Sequence, residues 1–156
     1  MRPPPPPGPG SAQPVGHGAE RPFHADLEPT RRTAGLGLVR DELRAWLAES
    51  GVAAAPAAEI VVAAGEACVN VLEHSGARRS GEQPAGWIEA RVEPGWVRVV
   101  VVDRGRWVER DPATFARRNR GRGRLVMAAL MNRVTVLTGA DGTTVTLLKQ
   151  LPPPES

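Results

Sequence analysis

Apolar residues between Pro29 and Glu49 fall at Leu36, Val39, Leu43, Trp46 and Leu47. Steps of three and four place them on one helical face, and Ser50-Gly51 supplies a stop. A second helix is predicted from Pro56, which suits a first turn, to about Glu73. Its core face is Ile60, Ala63, Ala64, Ala67, Val71 and Leu72, and His74-Ser75-Gly76 ends it. The period then changes to two. Gly86 to Glu93 alternates as a strand, Glu93-Pro94-Gly95 turns, and Trp96 to Asp103 returns. Val99 to Val102 is apolar on both faces, which predicts a central strand. Leu125 to Met131 reads as a helix. Arg133 to Thr138 and Thr143 to Leu151 read as a hairpin across Gly139-Ala140-Asp141-Gly142. Arg21 to Leu27 suits a short edge strand. The order is strand, two helices, two strands, loop, helix, two strands. It predicts an α+β two-layer sandwich, with one mixed, mostly antiparallel sheet and the helices on one face.

The remaining segments are polar. Residues 1–20 are rich in Pro and Gly and are expected to be a disordered or polyproline-like tail. Residues 152–156 are expected to be a short disordered end, leaving one domain over 21–151. Ala77 to Ala85 reads as a polar loop. Arg104 to Arg124 reads as a long, mobile, Gly-punctuated loop with one helical turn near Pro112 to Arg117.

With 156 residues and 41% apolar content, the chain can bury one core. Its net charge is +3, and Lys149 is the single lysine among 20 Lys and Arg, leaving 19 arginines. Arg117, Arg118, Arg120, Arg122 and Arg124 could meet phosphate, an acidic partner or nucleic acid. No aromatic platforms interleave with them, so direct nucleic-acid binding ranks last. Cys68, the lone cysteine, cannot form an intrachain disulfide and reads as core. No uninterrupted apolar run reaches the ~18 residues of a membrane span, and no secretory signal is visible. The expectation is a cytoplasmic protein without membrane contact.

Several polar residues interrupt apolar elements. Glu66 and Asn70 lie four apart in Ala63-Ala64-Gly65-Glu66-Ala67-Cys68-Val69-Asn70-Val71, one helical turn from each other on one face. A carboxylate and an amide so placed can polarise a hydroxyl and ligate Mg²⁺. Asp103 ends an all-valine strand and could accept from an exocyclic amine, with Gly105 admitting a flat base beside the backbone. Gly121 and Gly123 precede the next helix, where backbone N–H groups can meet phosphates. Together these suggest a purine nucleotide site closed by a flexible loop.

In this order the motifs resemble the GHKL (Bergerat-type) ATPase domain, in particular the small bacterial anti-sigma-factor serine/threonine kinases, over Phe23 to Leu151. Gly65-Glu66-Ala67-Cys68-Val69-Asn70 with Glu73-His74 is similar to the N box, and Asp103-Arg104-Gly105 to the first glycine box. The run Gly121 to Met131 resembles the second glycine box, with Arg124 where Leu is usual, and Gly142 to Leu147 the last strand motif. The resemblance implies ATP and Mg²⁺ as cofactors. Asn70 would hold Mg²⁺ and Glu66 would be the general base on a Ser or Thr hydroxyl. Asp103 would read adenine, with Thr143 nearby through water, and Gly105, Gly121 and Gly123 would shape pocket and lid. The implied partners are a sigma factor and a STAS-domain anti-anti-sigma protein, with a homodimer open to the chain. The alternative is a non-catalytic, ATP-gated binding module in a phosphatase and sigma signalling system.

Overall fold

The structure is a computed structural model that describes residues 21–28, 32–74, 86–104, 121–139 and 142–153. The expectations for the tail, for residues 75–85 and for 105–120 lie outside the described residues.

Helix α1 (Arg32–Glu49) starts three residues later than Pro29 and ends where Ser50-Gly51 predicts. Gly51 has φ +79, Val52 N–H bonds Leu47 O at 3.0 Å, and Gly51 N–H bonds Ala48 O at 3.0 Å. This is a Schellman closure, sealed by buried Val52 and Leu47. The stripe is as predicted: Leu36, Val39, Leu43 and Leu47 are buried, and Trp46 packs at 6.0 Å between centroids on Phe23. Trp46 Nε1–H also bonds Arg21 O at 2.9 Å and fixes the entry to the domain. Helix α2 (Ala54–His74) carries Pro56 in its first turn and buries Ile60, Ala63, Ala64, Ala67, Val71 and Leu72.

Strand β1 (Phe23–Leu27) lies at one edge of the sheet. It pairs with β2 (Gly86–Glu93), then follow β3 (Trp96–Asp103), β5 (Gly142–Gln150) and β4 (Arg133–Gly139) in the order β1-β2-β3-β5-β4. Among the described residues all four pairings are antiparallel, where the expectation is a mixed, mostly antiparallel sheet. The β2–β3 hairpin closes over Pro94-Gly95 with Gly95 at φ +77, the type II requirement.

Strand β3 is central, as its valines predict. Val97, Val99 and Val101 are buried under the helices, whereas Val100 and Val102 on the other face are only half-buried. Beside them Trp87 is capped by the Arg104 guanidinium, 4.4 Å from the ring centroid. Each fully covered Leu, Ile or Val contributes roughly 1.5–3 kcal/mol, and these residues form one cluster.

Helix α3 (Gly121–Leu130) begins four residues earlier than predicted, so Gly121 and Gly123 lie inside its first turn rather than before it. Helix α2 runs between α1 and α3 on one face of the sheet. By length and composition α2 is apolar enough to cross a membrane, but 56% of that stretch is buried against its neighbours, as in a core helix.

Candidate functional site

The site is built at one end of the sheet. Cross-strand pairs set Leu27, Gly86, Asp103, Thr143 and Thr138 side by side in one row, on the face covered by helices. Asp103 is the one buried charged residue among the described residues, at 8% exposure. A buried carboxylate is costly unless partnered, and Asp103 does carry an interaction of its own. Thr143 is its direct neighbour on β5.

Two glycines flank this end of β3. A Cβ on Gly142 would stand 1.8 Å from Asp103 O, and one on Gly86 would stand 1.9 Å from Val102 O. Gly142 also has φ +133, which side chains rarely adopt. Only bare backbone fits on either side, so Asp103 ends its strand in a tightly defined place. The same Gly86 position lies 3.1 Å from Val71 Cγ1. The Asn70–Val71 turn of α2 is therefore seated on the Asp103 end of the sheet.

The second wall is α3. A Cβ on Gly123 would meet Glu66 Oε2 at 3.4 Å, Asn70 Nδ2 at 3.8 Å and Asn70 Oδ1 at 4.0 Å. The first turn of α3 is thus laid against Glu66 and Asn70 of α2. Glu66 and Asn70 are both half-buried, and Asn70 has an interaction partner. Glu66, Asn70, Gly123, Asp103 and Thr143 are therefore brought to one end of the domain, with Gly121 two residues before Gly123 at the start of α3. Gly105 lies outside the described residues. Arg124 is exposed, and α3 continues through it without a break, so the arginine does not disturb the helix start.

Mg²⁺ favours oxygen ligands, keeps several waters and is held by few protein groups together with phosphates. The Asn70 side-chain oxygen next to a carboxylate fits that habit. Among the described residues no group of three His, Cys, Asp or Glu could hold a metal alone. Cys68 takes no part, because burial pushes its thiol up to about 12, against a smaller opposing effect of Arg40.

Sequence reasoning missed the flanking roles of Gly86 and Gly142. Both glycines open a strand, where local pattern marks a turn or a boundary and does not reveal the backbone that approaches from the neighbouring strand. It also gave Lys149 no role. Lys149 Nζ donates to Glu59 Oε2 on α2 and, at 2.5 Å, to Leu130 O at the end of α3.

The model of the histidine kinase-like ATPase domain matches residues 28–149. A crystal structure of the RsbU and RsbW domains of Rv1364c from Mycobacterium tuberculosis is similar at 31% identity, with TM-score 0.66. The match covers 86% of this chain and 33% of that one, so the chain spans about a third of its length. A histidine kinase domain from a blue-light-activated kinase of Erythrobacter litoralis matches at 19% identity, with TM-score 0.49, over 76% of this chain and 60% of that one. The N-box-like pair on α2, the buried Asp103 and the glycine contact of α3 lie within the matched span, and the chain belongs to the histidine kinase-like ATPase family.

Proposed function

We propose that the protein is an ATP-dependent serine/threonine kinase of the anti-sigma type, which binds a sigma factor and phosphorylates a STAS-domain protein. The observation that carries the reading is the packing of Gly123 against Glu66 and Asn70, at the same end of the domain as Asp103 and Thr143. It leaves a carboxylate next to a metal-ligating amide, below a helix start whose N–H groups suit phosphate. The similarity to a structure containing an RsbW domain supports a regulatory role.

In this reading Asp103 accepts a hydrogen bond from the adenine amino group, and Thr143 beside it orients a bridging water. Asn70 holds Mg²⁺, which when bound neutralises charge on the phosphates. Glu66 accepts the proton of the incoming hydroxyl as that oxygen bonds to the γ-phosphorus and the bond to the β-γ bridging oxygen breaks. Positioning and charge neutralisation then supply most of the acceleration, as in phosphoryl transfer generally.

The test is transfer of labelled γ-phosphate to STAS-domain proteins encoded beside the gene. Glu66→Gln keeps size and hydrogen bonding but removes the base. It is expected to bind ATP nearly normally and to lose ~10²-fold or more in transfer, the usual worth of a general base. Transfer by Glu66→Gln at the wild-type rate would place the base elsewhere. Tight binding of ATP and a sigma factor with no transfer to any partner would instead favour the non-catalytic, ATP-gated module. Salt-dependent DNA binding without ATP would favour the arginine-rich loop as a nucleic-acid contact.

A further inference from the structure

On the other side of α2, away from Gly123, a cleft of about 210 Å³ runs between β1 and α1. Five consecutive residues of the β1 segment, from His24 to Glu28, line it, so its wall is the strand's own edge rather than one face. Among the described residues β1 pairs only with β2, and its outer edge carries no ladder. An unpaired edge offers a row of backbone donors and acceptors to an added strand.

The floor is apolar. Leu27, Leu36, Val39 and Leu72 are buried there, and Leu38 on the lip is 51% exposed. The volume is below the ~300 Å³ of the smallest usual ligand pockets, so it suits one or two side chains and not a free cofactor.

The rim is acidic. Asp26, Glu28 and Glu42 line the cleft, and among the described residues no Lys or Arg does. His24 is the sole other titratable group in the lining among the described residues. Its ring nitrogens lie 3.1 Å from Asp26 Oδ1 and 3.3 Å from Glu89 Oε1. Glu28 and Glu42 have no ion-pair partner among the described residues. This local charge is opposite in sign to that of the chain, whose net charge is +3.

We infer that this cleft receives an extended basic segment of a partner protein, which adds as a strand to the free edge of β1. Alternate apolar side chains of the segment enter the floor between Leu36 and Leu72, and its Arg or Lys side chains meet Asp26, Glu28 and Glu42. Main-chain bonds supply affinity, and the pocket and rim supply specificity. The inference does not rest on the nucleotide reading, since the outer edge of β1 and Asp26, Glu28 and Glu42 take no part in that site.

The test uses a fluorescein-labelled octapeptide of alternating Arg and Val, acetylated and amidated, titrated against the whole chain by anisotropy. It is expected to bind saturably and at least tenfold tighter than the Glu/Val octapeptide. Non-specific attraction to a chain of net charge +3 would give the reverse order, which would overturn the inference. The triple variant Asp26→Asn, Glu28→Gln, Glu42→Gln changes only exposed or rim carboxylates and is expected to weaken the Arg/Val peptide at least tenfold. Two further peptides carry backbone N-methyl groups on the odd or on the even residues. Only one set of amides can face β1, so one peptide should bind like the parent and the other should fail. Equal binding by both, or a triple variant indistinguishable from wild type, would remove strand addition at β1.

Discussion

The two ends of α3 are held by opposite means. At the C-terminal end, Leu130 O is bound by Lys149, whose ammonium also meets Glu59 on α2. Met131 is buried there, and Asn132 is tied to β5 twice: its N–H bonds Leu148 O at 2.9 Å, and its Oδ1 accepts from Gln150 N–H at 2.8 Å. A cation at a helix C-terminus also complements the helix dipole. At the N-terminal end, contact with α2 is made by Gly123, which has no side chain, against the carboxylate and amide of Glu66 and Asn70. The first end fixes where α3 sits. The second leaves polar atoms and backbone N–H groups together, an arrangement suited to a charged ligand and of little use for rigidity alone.

The sharpest way to break this contrast is at the glycines under the site. Gly142→Ala places a Cβ 1.8 Å from a backbone carbonyl at φ +133, and is expected to cost about 3 kcal/mol in urea unfolding. Gly139→Ala, at the residue paired with Gly142 across the hairpin, meets nothing within 4 Å and should stay within about 0.5 kcal/mol of wild type. Equal costs would show that the close approach at Asp103 is not what restricts Gly142.

The anchored end is tested by Lys149→Met. Loss of the charged hydrogen bonds to Glu59 and Leu130 should cost about 1–2 kcal/mol. Amide exchange should rise in the last turn of α3 and leave the Gly123 turn nearly unchanged. Faster exchange at both ends would mean that the helix is held as one unit.

Gly123→Ala separates stability from binding. The added methyl lies 3.4 Å from Glu66 Oε2, ordinary contact, and alanine is favoured over glycine in helices by roughly 0.8–1 kcal/mol. Stability should rise or hold, while nucleotide affinity should fall several-fold because the methyl fills space beside Glu66 and Asn70. A parallel change in both would tie Gly123 to folding alone.

The smallest effect concerns Cys68. Burial raises its thiol from 9.0 to about 12, so the folded chain keeps a proton that the unfolded chain releases. Its stabilising contribution is present below pH 9 and is lost as pH rises from 9 toward 12. In the native protein at pH 8, reaction with a thiol reagent should be no faster than unfolding. Rapid labelling would place the thiol at the surface.

Much of this was legible in the sequence, for stated reasons. The stripe Leu36, Val39, Leu43, Leu47 and the alternation of β2 are direct records of burial, and Pro94-Gly95 and Ser50-Gly51 specify their turn and cap. Glu66, Asn70 and Asp103 were visible because each interrupts an apolar element. The start of α3 was misplaced because glycines read as breakers, whereas here Gly123 is selected by close helix packing. The ion pair of Lys149 with Glu59 joins residues 90 apart, and neither local period nor spacing encodes such a contact. The half-covered outer face of β3 was also hidden, because a run of valines is the same whether a second layer covers it or not.

The central claim is that the Asp103 end of the sheet, under Glu66, Asn70 and Gly123, is an adenine nucleotide site. It is tested most directly by calorimetric titration of ATP and GTP, each with Mg²⁺, into wild type and Asp103→Asn. The carboxylate can only accept, which suits the adenine amino group and opposes the guanine carbonyl. Wild type is therefore expected to prefer ATP by tenfold or more, and Asp103→Asn to lose most of that preference while its circular dichroism spectrum stays the same. A folded Asp103→Asn that retains both the ATP affinity and the preference of wild type would contradict the assignment.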